Sequence, residues 1–333
     1  MEDSMPNQPE GLLRRRDFCA ATIACSVFLR DTFAEEQWPR KPIKIVVAYP
    51  PGGIADYIAR NIGNSISADL GVPVIVENKP GAGTNIGSMM VARSAPDGYT
   101  LLLATSTNAA NVTLFKRLGY DPVRDFAPLS IIADANTALV THPSQPFKDI
   151  KQLIAYAKEK PDELAFGSPG IGSPGHLAGE LFKKMAGIRM RHVAYQGGPQ
   201  SAQDVMGGTV PLAFINMNVV QPFVEAKRLR ALAVTGAKRW MLLPDVPTIA
   251  EAGLPGYAWS SWMGLAAPAG TPAPVIERLS GAIQRARTDA SAQAIRQQGA
   301  DPVFSTPAVM GERLRVDVKA CAEVIKVAGI VPE

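Results

Sequence analysis

Cysteine is scarce: Cys19, Cys25 and Cys321 are the only three in 333 residues, and no C-x-x-C spacing occurs. That excludes a disulfide framework, a cysteine-rich zinc site and a dithiol redox centre. Histidine is as sparse, with His142, His176 and His192 isolated in sequence and no H-E-x-x-H, so no metal-ligand spacing is present. Charged residues reach only 19%, 34 Lys+Arg against 30 Asp+Glu, and they form no basic stripe, which argues against a nucleic-acid partner. There is no Walker A motif. The one G-x-G-x-x-G, at Gly170, Gly172 and Gly175, is interrupted by proline and lacks an acidic residue on a following strand, so no dinucleotide is expected. No G-x-S-x-G surrounds a serine, and no local spacing assembles a Ser–His–Asp set or a carboxylate pair. Long apolar runs are missing too. The stretch from Phe18 to Leu29 is about 12 residues, short of the ~20 that a membrane span needs.

That short stretch has a different use. It follows Arg14-Arg15-Arg16 and precedes a small residue at Ala34, the layout of a secretory signal over residues 1–34. Arg15-Arg16-Asp17-Phe18 fits a twin-arginine signal and the three arginines equally fit an ordinary basic n-region. Thr22-Ile23-Ala24-Cys25 makes a poor lipobox, because leucine normally stands three places before the cysteine. Cleavage near Ala34 leaves Cys321 as the lone cysteine and 30 basic against 25 acidic residues, so the net charge moves from +4 to +5. The mature chain is expected in a periplasm.

What the mature chain has in quantity is alternation. Lys44–Ala48 is a β-branched apolar run that suits a buried strand. It is followed by a helical pattern with Ile58, Ile62 and Ile66 on one face. Strands at 72–76 and 101–104 come next, then a second series of helices and strands from Asp149 to Thr235, and a helical tail from Pro274. Such β-loop-α alternation predicts parallel sheets with helices on their faces. Two extended stretches, Thr137–Thr141 and Tyr257–Leu265, are candidates to cross between two domains, with Trp259 and Trp262 packing there. Glycine and proline, 29 and 28 residues, total about 17% of the chain. Many sit in loops at strand ends just before helices: Tyr49–Asp56, Gly81–Asn85, Gly167–His176 and Tyr195–Gly198. Open α/β sheets bind ligands at that place, and unpaired N–H groups at helix N-termini suit carboxylates or phosphates.

Taken together these loops resemble the Bug (Bordetella uptake gene) family, the substrate-binding proteins of tripartite tricarboxylate transporters. The resemblance rests on Tyr49–Asp56, Val76–Gly87, Ala95–Leu103, Tyr195–Gly198, Leu229–Thr235, Asp245–Gly256 and Ala267–Pro272, in family order from about residue 38 onward. It implies a type II periplasmic-binding-protein fold, two α/β lobes joined by two crossing strands. Lobe 1 would comprise residues 35–137 and 260–333 and lobe 2 residues 138–259. It also implies no catalysis and no cofactor. The expected partner is a small organic carboxylate, held by hinge closure in a monomer and passed to membrane transporter subunits. First-lobe contacts would come from Tyr49, Gly53, Ile54, Ala55, Asp56, Asn85, Thr105, Ser106 and Thr107. Second-lobe contacts would come from Ser168, Ser173, His176, Tyr195, Gly197 and Asn216. Two positions depart from the family pattern: Gln196 where lysine is common, and Ile215 where aspartate is common. An acid at 215 would pair with a ligand amine, so Ile215 predicts a non-aminated ligand. Two other readings stay open on sequence: a periplasmic sensor with the same cleft, and an enzyme using Ser168, Ser173 or His176.

Overall fold

The computed structural model describes Met1 and residues 38–332. The segment carrying Arg14–Arg16, Cys25 and Ala34 lies outside the described residues. The chain divides into two compact units, Met1–Arg40 and Lys41–Glu333, and the fold below is that of the second.

Its elements, in chain order, are β1 (Ile43–Val47), α1 (Ile54–Leu70), β2 (Val74–Asn78), α2 (Asn85–Ala92), β3 (Thr100–Thr105), α3 (Ser106–Leu114), β4 (Phe126–Ala135) and β5 (Thr137–Thr141). Then follow α4 (Ile150–Glu159), β6 (Ala165–Ser168), α5 (Pro174–Ala186), β7 (Arg191–Ala194), α6 (Gly198–Met206), β8 (Leu212–Asn216), α7 (Met217–Glu225) and β9 (Arg230–Val234). The chain finishes with α8 (Ile249–Ala252), β10 (Ser261–Pro268), α9 (Ala273–Arg285), α10 (Asp289–Gln297), β11 (Ala300–Pro302) and α11 (Pro307–Val327).

The strands form two sheets, one in each lobe. Lobe 1 holds six strands in the order β11-β4-β10-β3-β1-β2, and lobe 2 holds five in the order β7-β6-β8-β5-β9. β1 pairs in parallel with β2 and β3. It is buried because α1 covers it, with Ile58, Ile62 and Ile66 each no more than 1% exposed. Gly71 ends α1 at φ 71°, its N–H bonding the Ser67 carbonyl, the left-handed cap that glycine allows without strain.

β4 ends in the first sheet and β5 begins in the second, with Asn136 alone between them. The return runs through residues 257–260 into β10. Thr235, just past β9, links the two crossings: its N–H donates to the Thr137 carbonyl beside the first and its carbonyl accepts from Trp259 N–H in the second, at 2.9 and 2.8 Å. Trp262 is fully buried, its Nε1 donating to Asp317 at 2.6 Å. Trp259 packs against the cores of both lobes. Two stretches that the sequence pattern leaves unassigned form elements, and a third element interrupts the tail expected to be helical. The Ser/Thr/Asn-rich stretch 106–114 is helical, 126–135 is a long strand despite Pro128, and the tail carries β11 between its helices.

Candidate functional site

Between the lobes lies a cleft of about 1580 Å³. Lobe 1 supplies the loop from Ala48 to Ala55, the turn Pro80–Thr84, the start of α3 and Asn111; lobe 2 supplies residues 169–176, Gln196 and Asn216. The sheets place these loops there, since each follows the C-terminal end of a strand.

The helices around the cleft differ from those away from it. Away from it, α4, α8, α10 and α11 have Asp149, Thr248, Thr288 and Thr306 accepting from their own first-turn N–H groups; among the described residues only α9, at Pro272, lacks such a bond. At the cleft, α1, α2, α6 and α7 begin at Gly53, Thr84, Gly197 and Asn216 with no side-chain cap. Thr105 and Ser173 do cap α3 and α5. In α2 the Asn85 and Ile86 N–H groups donate back to the Ala82 and Gly81 carbonyls, and in α7 the Met217 N–H donates to the Asn136 carbonyl, so the starts that present N–H donors and the positive end of the helix dipole to the cleft are those of α1 and α6.

The walls are held by a polar network. Tyr49 Oη lies 3.0 Å from both Thr105 Oγ1 and Thr107 Oγ1. Burial pushes the Tyr49 phenol above its ordinary pKa, against the pull of those two hydroxyls, so it stays a neutral donor. The turn Gly81–Thr84 runs left-handed, with φ of 132°, 46°, 60° and 83°. Thr84 is β-branched, so this conformation is strained. Asn111 holds it: Nδ2 donates to the Gly83 carbonyl and Asn85 Oδ1, both at 2.7 Å, and lies 3.3 Å from Thr84 Oγ1. At the opposite wall Gly172 leaves room for Leu114 of lobe 1, whose Cδ1 is 2.5 Å from where a Cβ would stand.

Of the residues expected from sequence, Tyr49, Gly53, Ile54, Ala55, Thr105, Thr107, Ser173, His176 and Asn216 line the cleft. Of the others, all but Gly197 sit behind the wall. Asp56 accepts from Gly52 N, Arg60 Nε and Asn78 Nδ2. Asn85 accepts from Asn111 and Tyr120. Ser106 bonds Ser261, and Tyr195 donates to Asp204 at 2.8 Å. Ser168 is fully buried between Gly170 and His192 Nε2, out of a substrate's reach. Gly197 is flanked by the lining residues Gln196 and Pro199. Ile215 corrects an expectation: it does not face the cleft. Strand alternation turns it, with Ala213, into the core beneath α6 and α7, so nothing about a ligand amine follows from it. Residues that sequence reasoning missed are Asn111, Glu180, Lys183 and 328–331, all of which line the cleft.

His176 and His192 stack face to face, ring centroids 3.7 Å apart. Burial lowers the His176 pKa to about 3, with the charges of His192 and Lys183 adding to it, and burial with Lys183 lowers His192 to about 4. His176 Nδ1 accepts from Gly172 N at 3.0 Å, which needs that nitrogen unprotonated. In the unfolded chain both rings titrate near 6.5. Between that pH and about 4 the unfolded chain therefore binds more protons, and stability is lost as pH falls through that window. Thermal melts from pH 7 to 4 should show this decline, with a flatter slope in a His176→Gln/His192→Gln variant. Parallel slopes would refute the assignment.

A sequence model described as the tripartite tricarboxylate transporter family receptor matches residues 58–328. The chain belongs to this family. Protein BugT of Bordetella pertussis is 35% identical over 297 residues, 88% of this chain and 91% of BugT. Among solved structures, R. palustris Rpa4515 with adipate is 36% identical with a TM-score of 0.77, covering 89% of this chain and 100% of that one. The periplasmic binding protein BugD is 31% identical with a TM-score of 0.74, covering 89% and 100%. As in these solved relatives, the architecture here is two α/β lobes around a cleft.

Proposed function

We propose that this chain is a periplasmic solute-binding protein that captures a small carboxylate between its lobes by hinge closure, for a tripartite tricarboxylate-type transporter. The observation that carries this reading is the pair of open helix starts at Gly53 of lobe 1 and Gly197 of lobe 2, on the two sides of one cleft. Among the described residues, lobe 1 lines that cleft with uncharged side chains only. An anion there is held by amides and hydroxyls, each charge-assisted bond contributing about 1.5–3 kcal/mol. The solved relative carrying adipate supports a carboxylate, and the family description and the basic-apolar leader support export and transport. A ligand touching both lobes favours the closed form by its differential affinity for it, and the Asn136 crossing is where the rotation would concentrate.

The test is thermal unfolding against a panel of mono-, di- and tricarboxylates. A true ligand at 100 times its Kd should add about 2.7 kcal/mol of stability, a Tm rise of several degrees. No shift with any carboxylate would sink the proposal.

A further inference from the structure

The ionisable side chains of the cleft are divided unevenly. Apart from the Tyr49 phenol, they belong to lobe 2: His176, Glu180, Lys183, Arg191 and His192. Three of these follow one face of α5, at spacings of four and three residues, and so continue the cleft about 10 Å along the helix from His176. Glu180 is 7% exposed and takes Lys183 Nζ on both carboxylate oxygens, at 2.8 and 2.7 Å. The ammonium also lies 5.8 Å from the Phe166 ring centroid, which is 4.9 Å from the His192 ring. Lys183 is thus pinned beside the histidine stack. An ammonium has three N–H donors; among the described residues Lys183 bonds Glu180 alone, so a donor remains for the cleft. The cleft volume of about 1580 Å³ also exceeds the roughly 300–1,000 Å³ usual for a small-ligand pocket, leaving room beyond the helix starts.

The geometry points to a second subsite, centred on Lys183 and oriented by Glu180, that takes the distal acid group of an elongated ligand whose first carboxylate sits on the α1 start in lobe 1. This rests on the carboxylate-binding reading above and specifies which side chain meets the ligand's other end. A distal amine is disfavoured there by the lysine, and a monocarboxylate leaves the subsite unused.

Titration calorimetry of the full chain with adipate and with hexanoate, its monoacid counterpart, tests this in the wild type, in Lys183→Gln and in Glu180→Gln/Lys183→Gln. The double variant removes both charges together, so Glu180 is not left buried and unpaired. The wild type should prefer adipate by about tenfold or more. Both variants should lose that preference while holding hexanoate as before. An intact preference in the variants, or an equal loss for both ligands, overturns the subsite and leaves the carboxylate reading standing. Failure of both acids to bind the wild type overturns the subsite as drawn, and the carboxylate reading then rests on the full panel above.

Discussion

Asp56→Ala is expected to cut carboxylate affinity by about 10- to 100-fold, although Asp56 is behind the wall and not in contact with the cleft. Its carboxylate binds three parts of lobe 1 at once. Oδ2 accepts from Gly52 N at 3.0 Å and Arg60 Nε at 3.1 Å, and Oδ1 accepts from Asn78 Nδ2 at 3.0 Å. Asn78 in turn donates to the Tyr49 carbonyl at 3.1 Å. The loop 49–53 that delivers the start of α1 is therefore moored to α1 and β2 through one side chain. Alanine releases that loop, and donors held loosely bind an anion poorly. The stability cost should be about 2–3 kcal/mol, for lost charge-assisted bonds. The Arg60 hydrogen bond, with help from Gly52 N–H and Asn78, lowers the Asp56 pKa. Its contribution is thus present at neutral pH and is lost only as pH falls below the usual carboxylate range through that lowered value. The discriminating control is Asp69→Ala, which breaks an ion pair with Arg285 away from the cleft. Affinity measured well below both melting temperatures should fall for position 56 and hold for position 69. Equal affinities would refute the mooring role.

Gly175→Ala should be the most damaging single methyl in lobe 2. A Cβ at that position would stand 2.2 Å from the Phe214 carbonyl oxygen and 3.0 Å from Pro169 Cδ. The first is main chain in β8 and the second a proline ring, so neither yields by a rotamer change. α5 would have to lift from β8, carrying Ser173 and His176 away from the cleft. A loss of about 3–5 kcal/mol is expected, in the range reserved for a direct core conflict. Gly187→Ala is the comparison. Its φ of 62° disfavours a side chain but nothing lies within 4 Å, so about 1 kcal/mol should be lost. Urea unfolding measures both, and a Gly175→Ala midpoint close to wild type would contradict the packing.

Much of this architecture is legible in the sequence because periodicity and loop chemistry agree. The Ile58, Ile62 and Ile66 stripe is the buried face of α1, and the glycine-proline loops do end strands and begin helices. What was illegible depends on contacts between distant residues. The stretch Ser106–Leu114 has little apolar periodicity. It is helical because Thr105 and Asn108 form a reciprocal cap and Asn111 reaches back to residues 83–85. Ile215 was misplaced because strand phase cannot be read from one residue: Phe214 and Ile215 face opposite cores. Glu180 and Lys183 were readable in principle, standing four and seven places after His176 on a helix, but their link to the cleft depends on where β7 and residues 328–331 lie.

The bare helix starts have a consequence for how this protein tolerates change. A main-chain N–H belongs to the path of the chain and no substitution deletes it, proline excepted. Ile54→Val or Ala55→Ser should leave the anion's donors where they are, whereas a receptor that gripped with arginine would lose its grip in one codon change. On the proposed reading, attachment lies in the backbone trace and selectivity in side chains across the cleft. The second can therefore be rewritten, one residue at a time, without ever losing the first.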